Sequence, residues 1–144
     1  MATDSLAGRE PLPRIGGVMT VFYYEDVAPA IAFYEHVVGF EKLLDLGWGA
    51  TFRVAGQSFL TVVDSEGGSQ RAIPGANKGA ILSIETDDLA DWRTRLESAG
   101  LTGLEANLKS GCDGRSIEFH VRDPGDYLIE FFQWLDPPPR WRMR

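Results

Sequence analysis

The sequence predicts an α+β fold built from two βαβββ modules within one domain. Two observations predict it. Strand-like and helix-like segments alternate along the chain, and the same order of segments occurs twice, about sixty residues apart. The length of 144 residues is typical of a single domain with a substantial buried core. Because the two halves share little sequence identity, a chance echo of the pattern is the alternative to a true repeat.

The first module is expected over residues 17–64. Residues 17–24 are rich in β-branched and aromatic side chains and end at an acidic pair, which is typical of a strand. Asp26 is the expected N-cap of a short amphipathic helix, since Pro29 suits its first turn and Gly39 can supply a left-handed stop. Short Gly-containing segments that suit hairpins then separate three further strands, expected at 40–46, 50–54 and 58–63.

The second module is expected over residues 79–135 and follows the same plan. The acidic pair Asp87-Asp88 is expected to cap a helix that Gly100 ends. Its apolar residues recur at helical spacing, and we interpret the bulkiest of them, Trp92, as a packing residue. Strands are expected at 80–86, 101–108, 116–121 and 127–134.

The remaining segments lack periodicity. Residues 65–78 link the modules and are interpreted either as a plain linker or as a mobile flap. Residues 1–16 are expected to form a flexible N-terminal arm. Residues 136–144 form a basic, Pro-rich C-terminal tail, which we expect to be solvated, with an acidic partner as the alternative.

Composition excludes several classes of function. The net charge of −7 argues against nucleic acid or an anionic membrane as the main partner, and it favours cations. No signal peptide or membrane span is apparent, so a cytoplasmic protein is expected. One cysteine cannot form an internal disulfide, and two histidines cannot supply a His-rich metal site. Cys112 lies in a loop near Lys109 and Arg115, but no histidine accompanies it as a base.

Two segments carry a family resemblance. Asp26-Val27, Phe33-Tyr34-Glu35 and Val38-Gly39-Phe40 together resemble the opening signature of the glyoxalase, bleomycin-resistance and extradiol-dioxygenase superfamily, also called vicinal oxygen chelate proteins. Residues 123–131, Asp-Pro-Gly-Asp-Tyr-Leu-Ile-Glu-Phe, are similar to its closing strand, although the family's usual turn is Asp-Pro-Asp-Gly. The resemblance covers about residues 17–135 and implies two modules whose mixed sheets curl into a ligand-binding cup.

In metal-dependent members of that superfamily, four strand positions hold a divalent ion. Here the resemblance places them at Met19, at Leu60 or Thr61, at Ile81 and at Glu130. Only Glu130 is a residue type that commonly binds metals, so no metal or other cofactor is expected. His36 is expected on the first helix, behind the sheet. The sequence leaves open which face of its strand His120 takes.

Strand alternation from these positions gives a candidate ligand-binding set. Glu130 has the sharpest role, either as a general base whose pKa an apolar cup would raise or as a partner for a ligand cation. A solvated glutamate at a sheet edge is the alternative, and the aromatic residues could simply pack. The other candidate ligand-binding residues are Met19, Tyr23, Trp48, Thr61, Ile81, Ser83, Glu85 and Phe132.

Two functional hypotheses follow. The first is a metal-free binding protein resembling the bleomycin-resistance branch, which would sequester a cationic or aromatic small molecule. The second is a lyase, isomerase or epimerase with Glu130 as base or metal ligand and residues 65–78 as a lid. Only this alternative calls for a divalent metal. The resemblance also implies a homodimer, with the cup closed either within one chain or between two chains.

Overall fold

The computed structural model of the protein describes residues 8–104 and 108–142. Parts of three predicted segments lie outside these residues: 1–7 of the arm, 105–107 of the strand predicted at 101–108, and 143–144 of the tail. Residues 8–17 are exposed and have neither helix nor strand.

The first module has the predicted order of elements. Strand β1 (Val18–Tyr24) is followed by helix α1 (Ala28–Ala32), which continues as a π-helical turn over Phe33–Val38. Gly39 ends this turn with φ of +91°, a value that a residue with a side chain rarely adopts. Strands β2 (Glu41–Asp45), β3 (Gly49–Ala55) and β4 (Ser58–Asp64) complete a four-stranded sheet of order β1-β4-β3-β2, in which β1 and β4 are parallel.

The second module repeats this plan. Its sheet has the order β5-β8-β7-β6, again with the first and last strands parallel. The chain therefore folds into two βαβββ modules with mixed sheets, and the predicted α+β class is confirmed. Its elements are β5 (Ile81–Glu85), α2 (Leu89–Ser98), β6 (Lys109–Gly111), a 3-10 turn (Cys112–Gly114), β7 (Ser116–Arg122) and β8 (Leu128–Trp134).

Two local predictions were wrong. The strand predicted at 101–108 is β6, which begins only at Lys109, and residues 101–104 are irregular. Leu101 and Leu104 are apolar because they pack against the core. The helix start predicted at Asp26 is shifted, since Val27 is the N-cap and the Asp26 carboxylate accepts only a long hydrogen bond of 3.3 Å from the Ala28 amide. Asp88 does stand at the N-cap of α2, but its side chain does not bond to the helix.

A single apolar cluster forms the core and joins the two modules, and Trp92 packs at its edge as predicted. The Tyr127 ring stacks on Phe22 at a centroid distance of 3.9 Å. Its hydroxyl donates to the Tyr23 carbonyl at 3.0 Å and accepts from the Tyr23 amide at 3.1 Å. The start of β8 is thereby fixed to the end of β1. No helix in the described part of the chain has the length and apolar character needed to cross a membrane.

Asp123 is the polar centre of this junction. It is 4% exposed and lies in the segment that resembles the closing family signature. Its Oδ2 accepts hydrogen bonds from the hydroxyls of Tyr24 and Tyr34, the latter at 2.7 Å. Its Oδ1 accepts from the amides of Gly125 and Tyr127, both at 2.9 Å. The aspartate of the second module thus holds two tyrosines of the first.

Candidate functional site

Each sheet has one face in the core and one face turned away from it, which we call its open face. Alternate residues of a strand lie on opposite faces of its sheet. Leu60 and Val62 of β4 are buried in the core, whereas Thr61 lies on the open face. On the second sheet, Phe119 and Phe131 are core residues. The open face of that sheet therefore carries Ile81, Ser83, Glu85, Glu118, His120, Leu128, Glu130 and Phe132.

A cluster of ionisable groups lies on the open face of the second sheet. His120 of β7 pairs in register with Glu130 of β8, and Glu118 precedes it by two residues on the same face. The His120 Nε2 atom is 2.6 Å from Glu118 Oε2 and 3.3 Å from Glu130 Oε2. The Ser83 hydroxyl of β5 donates to Glu130 Oε1 at 2.6 Å. Two neighbouring strands thus carry one Glu-His-Glu group, which we call the acid cluster, and Ser83 of a third strand bonds to it.

The acid cluster is largely shielded from water, with side-chain exposures of 14% for Glu118, 22% for His120 and 18% for Glu130. Burial, and after it the hydrogen bond with Glu130, raise the pKa of Glu118 above its usual value, although His120 opposes the shift. With both carboxylates ionised, the cluster is negative even if His120 is protonated. It is suited to hold a proton or to attract a cation.

Gly111 leaves the space that Glu118 occupies. A Cβ atom at this position would lie 2.2 Å from Glu118 Oε1 and 2.8 Å from Ser116 Oγ. The end of β6 therefore needs glycine for the carboxylate to lie against it. Both the Ser83 hydrogen bond and this close approach fix the carboxylates before any ligand arrives, which is the property expected of a binding site.

The four metal positions implied by the resemblance do not form a metal site here. Thr61, not Leu60, lies on the open face, and its hydroxyl is 3.0 Å from Met19 Sδ and 2.7 Å from Thr51 Oγ1. Met19 and Thr61 belong to the first sheet, while Ile81 and Glu130 belong to the second. A thioether, a hydroxyl and an alkyl group do not fit a divalent ion.

A different set of residues does have suitable donors. One atom each from Glu118, His120 and Glu130 lie within 4.8 Å of one another. Two carboxylates and an imidazole are donor types that zinc and similar divalent ions accept. These three residues of the described chain would hold such an ion within a single sheet.

Two predicted ligand-binding aromatics contact the segment that joins the modules, residues 65–80, which we call the connecting segment. A Cβ atom on Gly67 would lie 2.4 Å from Trp48, and one on Gly68 would lie 2.4 Å from Tyr23. The Tyr23 hydroxyl is 3.5 Å from Ser69 Oγ. Adjacent glycines thus let the backbone pass directly over both rings. The connecting segment thus lies against one aromatic ring from β1 and one from the turn before β3.

Glu85 and Phe132 lie opposite each other at the far end of the second open face. Glu85 accepts a hydrogen bond from Trp141 Nε1 at 3.0 Å and forms an ion pair with Arg142. The described part of the C-terminal tail is exposed, and it also contacts the domain through these bonds. Its docking depends on tertiary contacts for which the sequence carries no local signal.

Sequence reasoning missed Glu118 and left His120 undecided. The signal was present, since Ile117, Phe119 and Val121 alternate with Glu118 and His120, and the apolar set had to face the core. The other histidine, His36, was expected on the first helix and lies in the π-helical turn that continues it, where its side chain is 72% exposed. Cys112 is exposed, and no histidine accompanies it in the described contacts.

A sequence profile of the Glyoxalase/Bleomycin resistance protein/Dioxygenase superfamily matches residues 16–131. The chain belongs to this superfamily. No functionally curated protein matches the sequence significantly.

Solved structures of the superfamily fold are similar over most of the chain. A glyoxalase/bleomycin resistance protein/dioxygenase from Nocardioides aligns with a TM-score of 0.69 at 15% identity, covering 89% of each chain. Lactoylglutathione lyase from Agrobacterium tumefaciens aligns with a TM-score of 0.64 at 25% identity, covering 85% of this chain and 95% of its own. TioX from Micromonospora sp. ML1 aligns with a TM-score of 0.65 at 20% identity, covering 83% and 98%. These similarities establish the fold.

Proposed function

We propose that the protein binds a small organic molecule with a cationic or hydrogen-bonding end, and that this end is received by the acid cluster. The observation that carries the proposal is the convergence of Glu118 and Glu130 on His120, on a sheet face that also carries the apolar side chains Ile81, Leu128 and Phe132. Such a face suits a ligand with an apolar body and one charged group.

The electrostatics of the cluster favour a cation. Two carboxylates held close together and shielded from water are unfavourable when both are ionised, and burial, followed by the neighbouring Glu130, raises the pKa of Glu118. A ligand ammonium or guanidinium group relieves this repulsion. The net charge of −7 adds a long-range attraction of the same sign.

The proposal requires no resident metal, because the carboxylates themselves supply the counter-charge. It also places the binding surface at the acid cluster and not at the family positions around Met19 and Ile81. We therefore propose a metal-free binding protein like those of the bleomycin-resistance branch, which sequesters its ligand without transforming it.

Titration with a panel of cationic aromatic compounds, including bleomycin-type glycopeptides, tests this proposal. Tryptophan fluorescence is the readout, since Trp134 lies on the same strand and face as Glu130. A compound that binds should lose about tenfold in affinity in Glu130→Gln, because a neutral amide cannot balance the charge. Glu97→Gln, on the exposed side of α2, is the matched control and should bind as wild type does. Equal affinity in Glu130→Gln and wild type would contradict the proposal.

A second candidate function is proton transfer by a lyase, isomerase or epimerase, and the position of His120 between two carboxylates favours it. A carboxylate and an imidazole in contact can take up and return a substrate proton. If a divalent ion is bound, Glu118, His120 and Glu130 would hold it, and it would polarise a substrate oxygen. Stoichiometric metal in protein purified without chelator, with turnover lost in Glu130→Gln, would favour this candidate over sequestration.

We also propose that the protein is a homodimer whose second copy covers the first strands of the modules. Met19, Val21 and Ile81 are 50%, 39% and 45% exposed on the open faces of β1 and β5, which are edge strands of the two sheets. Exposed apolar side chains of this size mark a surface that a second copy can cover. Val21→Glu should then yield monomers in sedimentation analysis, whereas Leu12→Glu in the exposed arm should not. A wild-type monomer at high concentration would contradict the dimer.

A further inference from the structure

The C-terminal tail returns to the open face of the second sheet. Beyond β8, the Leu135 and Asp136 amides donate to the Arg115 carbonyl at 2.7 and 3.0 Å. The Arg115 guanidinium donates in turn to the carbonyls of Asp136 and Pro137. A turn closed by the Trp141 amide and the Pro138 carbonyl then reverses the chain. Arg115 fixes the base of the tail, and the turn directs its end back to the sheet.

The end of the tail presents an indole and a guanidinium to this surface. The Trp141 ring lies edge-to-face against Trp134, with centroids 5.2 Å apart, and Trp134 in turn contacts Phe132 at 5.4 Å. The Trp141 indole N–H and the Arg142 guanidinium both bond to the Glu85 carboxylate. The Trp141 ring therefore packs on the Trp134–Phe132 pair, while the Arg142 guanidinium forms an ion pair with Glu85.

Trp134 has an unused polar atom at the same place. Its indole N–H is buried, and among the described residues it has no hydrogen-bond acceptor. A buried donor without a partner is unfavourable. The tail packs on the Trp134 ring and leaves this donor unpaired, so the tail does not satisfy all the polar groups of this end of the open face.

We propose that Trp134, Phe132 and Glu85 form a subsite for an aromatic cation, and that Trp141 and Arg142 occupy it as an internal stand-in which the ligand displaces. Ser83 bonds to Glu130, and Glu85 lies two residues further along the same strand. The subsite therefore adjoins the acid cluster, because Phe132 pairs in register with Glu118, and Glu85 lies about 7 Å from Ser83 along β5. The inference rests on the proposed function for the class of ligand, and it adds a second binding point and its control by the tail.

A docked tail weakens the apparent affinity for any ligand that needs the subsite. The apparent Kd equals the intrinsic Kd divided by the fraction of molecules whose subsite is free. Phenethylamine is a suitable probe because it joins an aromatic ring to an ammonium group. In the full-length chain, the double variant Trp141→Ala/Arg142→Ala should bind it about 3- to 10-fold more tightly than wild type. Arg14→Ala removes one positive charge from the N-terminal arm and is the control, with affinity unchanged. Glu85→Gln should weaken binding at least about fivefold.

A spectroscopic readout follows the tail itself. The chain has four tryptophans, so the indole N–H groups give four resolvable resonances in a nitrogen–proton correlation spectrum. The Trp141 resonance should move in Glu85→Gln, and it should move in wild type as phenethylamine saturates the protein. A Trp141 indole resonance that does not move when phenethylamine saturates the protein would overturn the inference.

The two proposals can fail separately. If phenethylamine binding depends on Glu85 and the tail but not on Glu130, the acid cluster is not the receiving site and the subsite stands. If it depends on Glu130, while the tail variant binds as wild type does, the subsite inference is overturned and the proposed function stands. If phenethylamine binds neither the wild-type protein nor any variant, both proposals are overturned.

Discussion

Asp123→Asn should destabilise the whole domain, because one carboxylate connects the two modules. The Asp123 Oδ1 atom accepts two backbone hydrogen bonds, and the amide oxygen of asparagine can keep them. The amide nitrogen then replaces Oδ2, to which Tyr24 and Tyr34 donate. Both buried hydroxyls lose a charged acceptor, and both must reorient to face a donor.

The expected loss can be worked from these contacts. Hydrogen bonds to a charged group contribute about 1.5–3 kcal/mol each, and neutral ones contribute about 0.5–1.5 kcal/mol. Asp123→Asn exchanges two hydrogen bonds to a charged group for two weak neutral ones, which lowers the free energy of unfolding. The variant also no longer buries a charge, which offsets part of this loss, and the net loss is about 3 kcal/mol. For a chain of this length that corresponds to a lowering of Tm by about 6–12 °C.

Urea denaturation followed by tryptophan fluorescence measures this loss. Tyr34→Phe removes one of the four hydrogen bonds and should lower the free energy of unfolding by about 1–2 kcal/mol, less than Asp123→Asn does. An Asp123→Asn protein within about 0.5 kcal/mol of wild type would refute the reasoning, since a mutational change that small is typical of surface positions.

Three further predictions concern the connecting segment and the titrating groups. Gly68→Ala should displace the connecting segment from the Tyr23 ring and speed trypsin cleavage within it, whereas Gly16→Ala, with open space around it, should not. Binding of a cationic ligand should weaken as pH falls through the raised pKa of Glu118, because protonation removes a negative charge; affinity independent of pH between about 4 and 8 would contradict this. Burial raises the pKa of both tyrosines that donate to Asp123, so the folded state holds their protons more tightly than the unfolded state. Stability should therefore be fully present below pH 10 and fall as pH rises above it, which alkaline urea titrations can follow.

The elements of the fold were predictable because their signals are local. Alternating apolar residues mark the strands, and Gly39 and Gly100 end the helices with positive φ angles as expected. Local signals failed where apolar character had another cause. Leu101 and Leu104 were assigned to a strand because they are apolar, as strand residues often are. They are apolar here because an irregular segment packs them against the core.

The site was predictable only in part, since it depends on how strands pair. The sequence placed Glu130 on the ligand face by its resemblance to a family strand. It could not join Glu130 to Glu118 and His120 without the register of β7 against β8. The contact between Glu85 and the tail is still harder to predict from the sequence. Glu85 is separated from Trp141 by 56 positions and from Arg142 by 57, with no repeating pattern between them.

The most direct test of the central claim is the affinity of a cationic aromatic ligand in chelator-treated protein. The two carboxylates of the acid cluster are taken to balance the ligand charge without a metal. Wild type should therefore keep its affinity after chelation, and Glu118→Gln/Glu130→Gln should lose about 10- to 100-fold, toward the affinity for a neutral analogue. Loss of binding on chelation, or equal affinity in the double variant and wild type, would contradict the account.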